Sequence, residues 1–191
     1  ESWSYSAVPP CLTTPTGRTF LTTVSSQTAI AIDNTDLVTR LQRENTDLSF
    51  AYDITLEKIS EALDQRERMP RGHSRKMSEM AVLLGNAMGV PESELVHIRR
   101  GALLHALGKL RVPESLLLKP SALTDEEWEL MRQHPSYSRQ VIFSIPNLRG
   151  AVDIPYSHHE KWDGSGYPQA LKGDAIPLPA RVFAVVEAWD V

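Results

Sequence analysis

The sequence predicts an all-α protein, and three observations carry that expectation. Apolar residues recur at helical spacing over long stretches, capping and breaking residues punctuate them, and no run shows the alternation of a half-buried strand. The 191 residues are 41% hydrophobic and 23% charged, a balance that supports one or two folded domains. With 20 basic against 24 acidic residues the formal net charge is −4, which argues against a broad basic face and so against DNA as a partner. The single cysteine, Cys11, has no internal disulfide partner, and no apolar run is long enough to span a bilayer. Both point to the cytoplasm, with an upstream membrane anchor left open. The chain begins at Glu1 without methionine and stops at Val191 inside the apolar helical run FAVVEAWDV, so both ends are expected to be cuts in a longer protein.

Residues 1–18 mix Pro, Thr, Ser and Gly without a period and read as loop. From Thr19 the pattern turns helical, and Val38, Leu41, Asn45, Leu48, Tyr52, Thr55, Ile59 and Ala62 advance by alternating steps of three and four. This seam fits one amphipathic helix packed on its own domain or a parallel dimeric coiled coil; Asn45 is the kind of seam residue that fixes register. Pro91 suits the first turn of a helix running to Leu107, with Leu95, Ile98, Ala102, Leu103 and Leu107 on its apolar face. Thr124 and Glu127 match a capping box, opening a helix that must end near His134 because Pro135 disfavours helix before it. Ile142 to Tyr156 reads as helix interrupted at Pro146, WDGSGYPQALKGDAIPLP as a long loop, and Ala180 to Val191 as the last helix.

All six histidines fall between His73 and His159. His97 lies on the polar side of its helix, whereas His73, His105, His134, His158 and His159 sit at separate helical segments or ends. A helical bundle can aim such imidazoles at one point, and neutral imidazole is the commonest transition-metal ligand. Glu160, Asp163, Glu187 and Asp190 lie close in sequence to the last pair. A mixed nitrogen and oxygen site favours iron, manganese, zinc or nickel over calcium or magnesium. Lys109 reads either as a helix-end cation or as a group beside an anionic substrate. Gly164, Gly166 and Pro168 fit a tight turn packed through Trp162 and Tyr167, and Tyr167, Lys172 and Arg181 can alternatively line a groove.

GALLHALGKLRVPESLLLKPSALTDEEWELMRQHP followed by HHEKWDGSGYPQALKGDAIPLPAR resembles the HD-GYP domain, a subgroup of the HD phosphohydrolases, with Gly166-Tyr167-Pro168 as its signature. The resemblance implies an HD-type helical bundle over 63–191, truncated at its C-terminus. VSSQTAIAIDNTDLVTRLQ similarly resembles the end of a GAF sensor domain (1–36) running into a helical signalling linker (37–62). It implies metal-dependent hydrolysis of cyclic di-GMP to pGpG or GMP, with iron or manganese as cofactor, one or two ions in number. Cyclic di-GMP and a diguanylate cyclase-type signalling protein are the implied partners, with a homodimer through the linker.

By the same resemblance the metal ligands are His73, His105, His134, His158, His159 and Glu187, with Asp190 one turn further on. Lys109 stands beside the reacting phosphate, and Gly166, Tyr167, Pro168, Lys172 and Arg181 form the loop and groove. Two metals in such a site polarise a phosphodiester and acidify a water. The resemblance departs at His105-Ala106, where the family has His-Asp and the aspartate bridges the metals. It departs also at Met69, where some members carry glutamate, and at Glu187, where aspartate is usual. Ala106 is expected to impair catalysis, and a catalytically silent module that binds cyclic di-GMP or a partner protein is the alternative.

Overall fold

In a computed structural model, residues 14–190 are described, the side chain of Asp190 excepted. The described residues are helical and turn structure with no strand, as expected. The helices are α1 (Pro15–Arg66), α2 (His73–Ala87), α3 (Glu92–Leu103), α4 (Glu114–Leu117), α5 (Asp125–Met131), α6 (His134–Ser144), α7 (Asp153–Ser157) and α8 (Leu178–Asp190). Short 3-10 segments cover Leu107–Arg111, Pro146–Ala151 and Gly173–Ala175. No described helix is long and apolar enough to cross a membrane. Cys11 and most of the segment read as loop lie outside the described residues; from Pro15 onward that segment is helix instead, Pro suiting a first turn.

The chain divides into two compact units between Ala51 and Tyr52. The described part of the first is helix throughout, with Val38, Leu41 and Leu48 of the seam 53%, 64% and 69% exposed. Thr22, Thr28, Thr35 and Thr39 each donate to the carbonyl four residues back, at 2.8 Å, so their hydroxyls are satisfied within the helix.

In the second unit the last turns of α1 bury Leu56, Ser60, Leu63 and Asp64. This stripe lies one position on from the seam, whose Thr55, Ile59 and Ala62 stay exposed. Tyr52 of the seam packs, half-buried, against an apolar cluster, and from Thr55 onward packing on the domain uses a different face from the three-four repeat read in the sequence. Leu56 joins Leu103, Leu104, Ile142 and Leu148 in one apolar cluster; Met77, Ala81, Ile98, Ala102, Ile154, Val182, Phe183 and Val186 form the other. Each large side chain so buried contributes about 1.5–3 kcal/mol.

The helix expected through Leu107 ends at Leu103. The chain tightens into the 3-10 segment because Gly108 must lie against α6: a Cβ at Gly108 would stand 1.8 Å from the His134 carbonyl oxygen. The capping box forms, with Glu127 N donating to Thr124 Oγ1 and Thr124 N to Glu127 Oε2. His134 opens α6 rather than closing α5, since Pro135 sits comfortably in a first turn.

Candidate metal centre

Five histidines converge in the second unit from four places in the chain. His73 is the first residue of α2, whose start is held by Asp64: the Ser74 amide and hydroxyl both donate to its carboxylate. His105 lies in the turn after α3, His134 opens α6, and His158 and His159 follow α7. Ring centroids are 6.5 Å apart for His73 and His105, 5.7 Å for His105 and His158, 5.6 Å for His134 and His158, and 3.9 Å for His158 and His159. Phe183 of α8 packs beneath, 5.0 Å from the His105 ring.

Hydrogen bonds fix the tautomers. Nδ1 of His105, His134 and His158 lies 2.8, 2.8 and 2.9 Å from the carbonyls of Ala102, Met131 and Ile154. A carbonyl only accepts, so each Nδ1 donates and each Nε2 keeps a free lone pair. Nε2 of His134 and of His158 is buried without a hydrogen-bond partner. Burial drives the imidazoles toward their neutral form: His105 and His159 are lowered to about 3 and His134 to about 4, with His158 also well below the ordinary value. Neutral, buried rings with orphaned nitrogens are what a transition metal needs. His134, His158 and His159 offer ligand atoms all within 4.8 Å of one another, so this trio fits one such ion. His73 and His105 stand beside it, and directly after His105 the chain offers Ala106, 4% exposed, whose methyl has no lone pair.

Lys109 stands at the edge of the cluster. Its charge helps to depress His105, His134 and His159 and opposes the burial that raises Glu187, which α8 carries half-buried. Lys109 Nζ donates to Glu67 Oε2 at 2.6 Å, and Arg66 donates to the carbonyls of Lys109 and Val112 at 2.7 and 2.8 Å. Gly108 N donates to Ser138 Oγ at 2.7 Å, so this turn is fixed from both sides.

The Gly166-Tyr167-Pro168 loop closes over His159. The Tyr167 ring stacks on His159 with centroids 4.7 Å apart, and burial pushes its hydroxyl up to about 12. Gly166 is required there, since a Cβ would stand 2.3 Å from the Lys161 amide nitrogen. Trp162, read as packing the loop, is 62% exposed. Arg181 donates to Asp174 at 2.7 Å and Lys172 is exposed. Two carboxylates read as possible metal ligands have other partners. Glu160 accepts from the amides of Gln169 and Leu171 at 2.7 and 2.9 Å, and Asp163 accepts from Ser165 N and Oγ. The side chain of Asp190 lies outside the described residues. His97 is apart from the cluster, against Gly150.

Sequence reasoning missed Glu67 and Arg132. Glu67 lies 42 residues from Lys109, beyond any local signal. Arg132, just before His134, sits 5.7 Å from the Tyr167 ring centroid and 5.8 Å from that of Trp128.

The family model for the HD domain matches residues 57–191. The chain is 37% identical over 138 residues to the cyclic di-GMP phosphodiesterase response regulator RpfG of Xanthomonas campestris pv. campestris, covering 71% of this chain and 36% of that protein. To the cyclic di-GMP phosphodiesterase of Thermotoga maritima it is 33% identical over 143 residues, covering 74% and 39%. To the 3'3'-cGAMP-specific phosphodiesterase 2 of Vibrio cholerae it is 31% identical over 163 residues, covering 84% and 30%. The chain thus spans about a third of the length of these relatives. Its fold is similar to that of Bd1817, a HDG"Y"P protein from Bdellovibrio bacteriovorus, with a TM-score of 0.52 at 22% identity, covering 62% of this chain and 39% of that one. With the matched span, the converging histidines and the Gly166-Tyr167-Pro168 loop in view, the chain belongs to the HD domain family, in its HD-GYP branch.

Proposed function

We propose that this chain is the output domain of a signalling protein that binds cyclic di-GMP, holds one divalent transition metal, iron or manganese, and hydrolyses the dinucleotide slowly. The observation that carries the reading is the trio of neutral histidines, His134, His158 and His159, with buried and unpartnered Nε2 atoms on two of them. The relatives' names supply the substrate class. His73, His105 and Glu187 complete the candidate ligand set, and Asp190 stands one turn beyond Glu187. A bound metal supplies Lewis-acid polarisation of the phosphodiester. Lys109 offsets charge on the phosphate oxygens, provided its ammonium turns from Glu67. Tyr167, stacked on His159, excludes water from one side of the cluster. Lys172 and Arg181 are candidates for the outer groove, Arg181 only on leaving Asp174.

Ala106 favours the second reading, a silent module that binds the dinucleotide or a partner protein such as a diguanylate cyclase. One measurement separates the two: purified protein loaded with manganese, analysed for metal and incubated with cyclic di-GMP. The expected result is one tightly held ion per chain, dinucleotide binding, and slow release of pGpG or GMP. Binding without product selects the silent module, and absence of both binding and product overturns the ligand assignment.

The proposal extends to domain organisation: 1–36 as the end of a GAF-like sensor, 37–62 as linker, and 63–191 as the HD-GYP domain in a cytoplasmic protein. Its linker pairs two copies through the exposed seam residues Val38, Leu41 and Leu48. Sedimentation at tens of micromolar, where a specific dimer persists, is expected to show a dimer that Leu41→Glu with Leu48→Glu dissociates. A monomeric parent chain removes the pairing.

A further inference from the structure

Arg132 differs from Lys109 and Arg181. Lys109 is paired with Glu67 and Arg181 with Asp174, whereas among the described residues the Arg132 guanidinium has no carboxylate or hydrogen-bond partner. What it has is two ring neighbours, Tyr167 at 5.7 Å and Trp128 at 5.8 Å. Its backbone is fixed by the junction between α5 and α6, two residues from His134. Gln133 beside it is occupied, accepting from the Tyr137 hydroxyl. An exposed guanidinium flanked by aromatic rings has five donors and no acceptor to spend on a ligand.

We infer that Arg132, with Tyr167 and Trp128, forms a nucleobase subsite that reads guanine. This rests on the cyclic dinucleotide reading above. A phosphodiester at the histidine cluster places its attached nucleoside alongside Tyr167, whose ring is 4.7 Å from that of His159, and Arg132 lies one ring contact further out. Trp128, an exposed ring, offers a stacking surface, which every base accepts. The guanidinium supplies the discrimination: its paired N–H groups match the O6 and N7 acceptors of guanine, while adenine presents an N6 donor where O6 would be. A phosphate subsite would call for clustered cations without flanking rings, and here a single cation lies between two rings.

The test is calorimetric binding of cyclic di-GMP, 3'3'-cGAMP and cyclic di-AMP to the manganese-loaded chain and to Arg132→Ala and Arg132→Gln, with metal content and melting temperature measured alongside. The parent is expected to prefer guanine-containing ligands. Arg132→Ala should lose on the order of tenfold or more for cyclic di-GMP and little for cyclic di-AMP. Arg132→Gln, whose amide pairs with adenine N6 and N7, should narrow or reverse the preference. Metal content and melting should not change. An equal loss for all three ligands makes Arg132 a backbone-charge contact and overturns the inference, as does full retention of preference in Arg132→Ala. A parent chain that binds none of the three overturns the cyclic dinucleotide reading itself.

Discussion

Ala106→Asp is expected to raise turnover of cyclic di-GMP by at least tenfold, the lower end of what a group supporting a metal site contributes. Ala106 is buried directly after His105, so the new carboxylate would lie among neutral imidazoles with the Lys109 charge at the edge. A buried carboxylate without partners is costly. The metal-free variant should therefore melt below its parent, and metal should reverse the order because the carboxylate can hold cations together beside His73 and His105. Metal analysis should rise from one ion per chain toward two. The measurement belongs in the full-length protein with manganese or iron supplied. Unchanged turnover and unchanged metal content would remove the role assigned to position 106.

Metal-free protein should lose stability steeply as the pH falls from about 6.5 toward 4. His105, His134, His158 and His159 all have folded-state values below the ordinary 6.5, chiefly through burial. Below 6.5 the unfolded chain takes up protons that the folded chain refuses, so stability falls with pH until the folded values of His105, His134 and His159, about 3 to 4, are reached. A histidine held neutral weighs about 2 kcal/mol against folding at pH 5. Glu187 and Asp153, raised by burial, act with the opposite sign, two groups against four. Melting in the presence of a chelator should drop by many degrees between pH 7.5 and 5, and His158→Gln should flatten the profile. A melting temperature independent of pH over that interval would contradict burial of the neutral cluster.

Local rules recovered what local interactions determine. The Thr124–Glu127 box involves groups three residues apart, and its sequence signature is the interaction itself. The position of His134 shows the reach of such rules. Pro135 correctly ends one helix, but the same ring initiates the next, and a rule for stops does not announce a start. The histidines were legible as a set because residue type and element ends are visible in sequence, whereas their tautomers depend on carbonyls three and four residues back in folded turns. Glu160 looked like an oxygen ligand because a carboxylate beside two histidines has that chemistry. Only the returning loop, nine and eleven residues on, reveals where its oxygens are used. Glu67 with Lys109 and Arg132 with Tyr167 are brought together by tertiary packing alone.

That returning loop has a thermodynamic consequence. Fixing one residue's backbone costs about 1–2 kcal/mol of conformational entropy. In this chain Glu160 ties down Gln169 and Leu171, and the His159 carbonyl accepts from the Tyr167 amide at 3.2 Å. The ordering cost is thus met during folding, and a ligand arriving over Tyr167 meets a surface already in place. Its binding free energy carries no charge for loop ordering, so the association should proceed as a docking step on a rigid rim, with a small change in heat capacity set by the area covered.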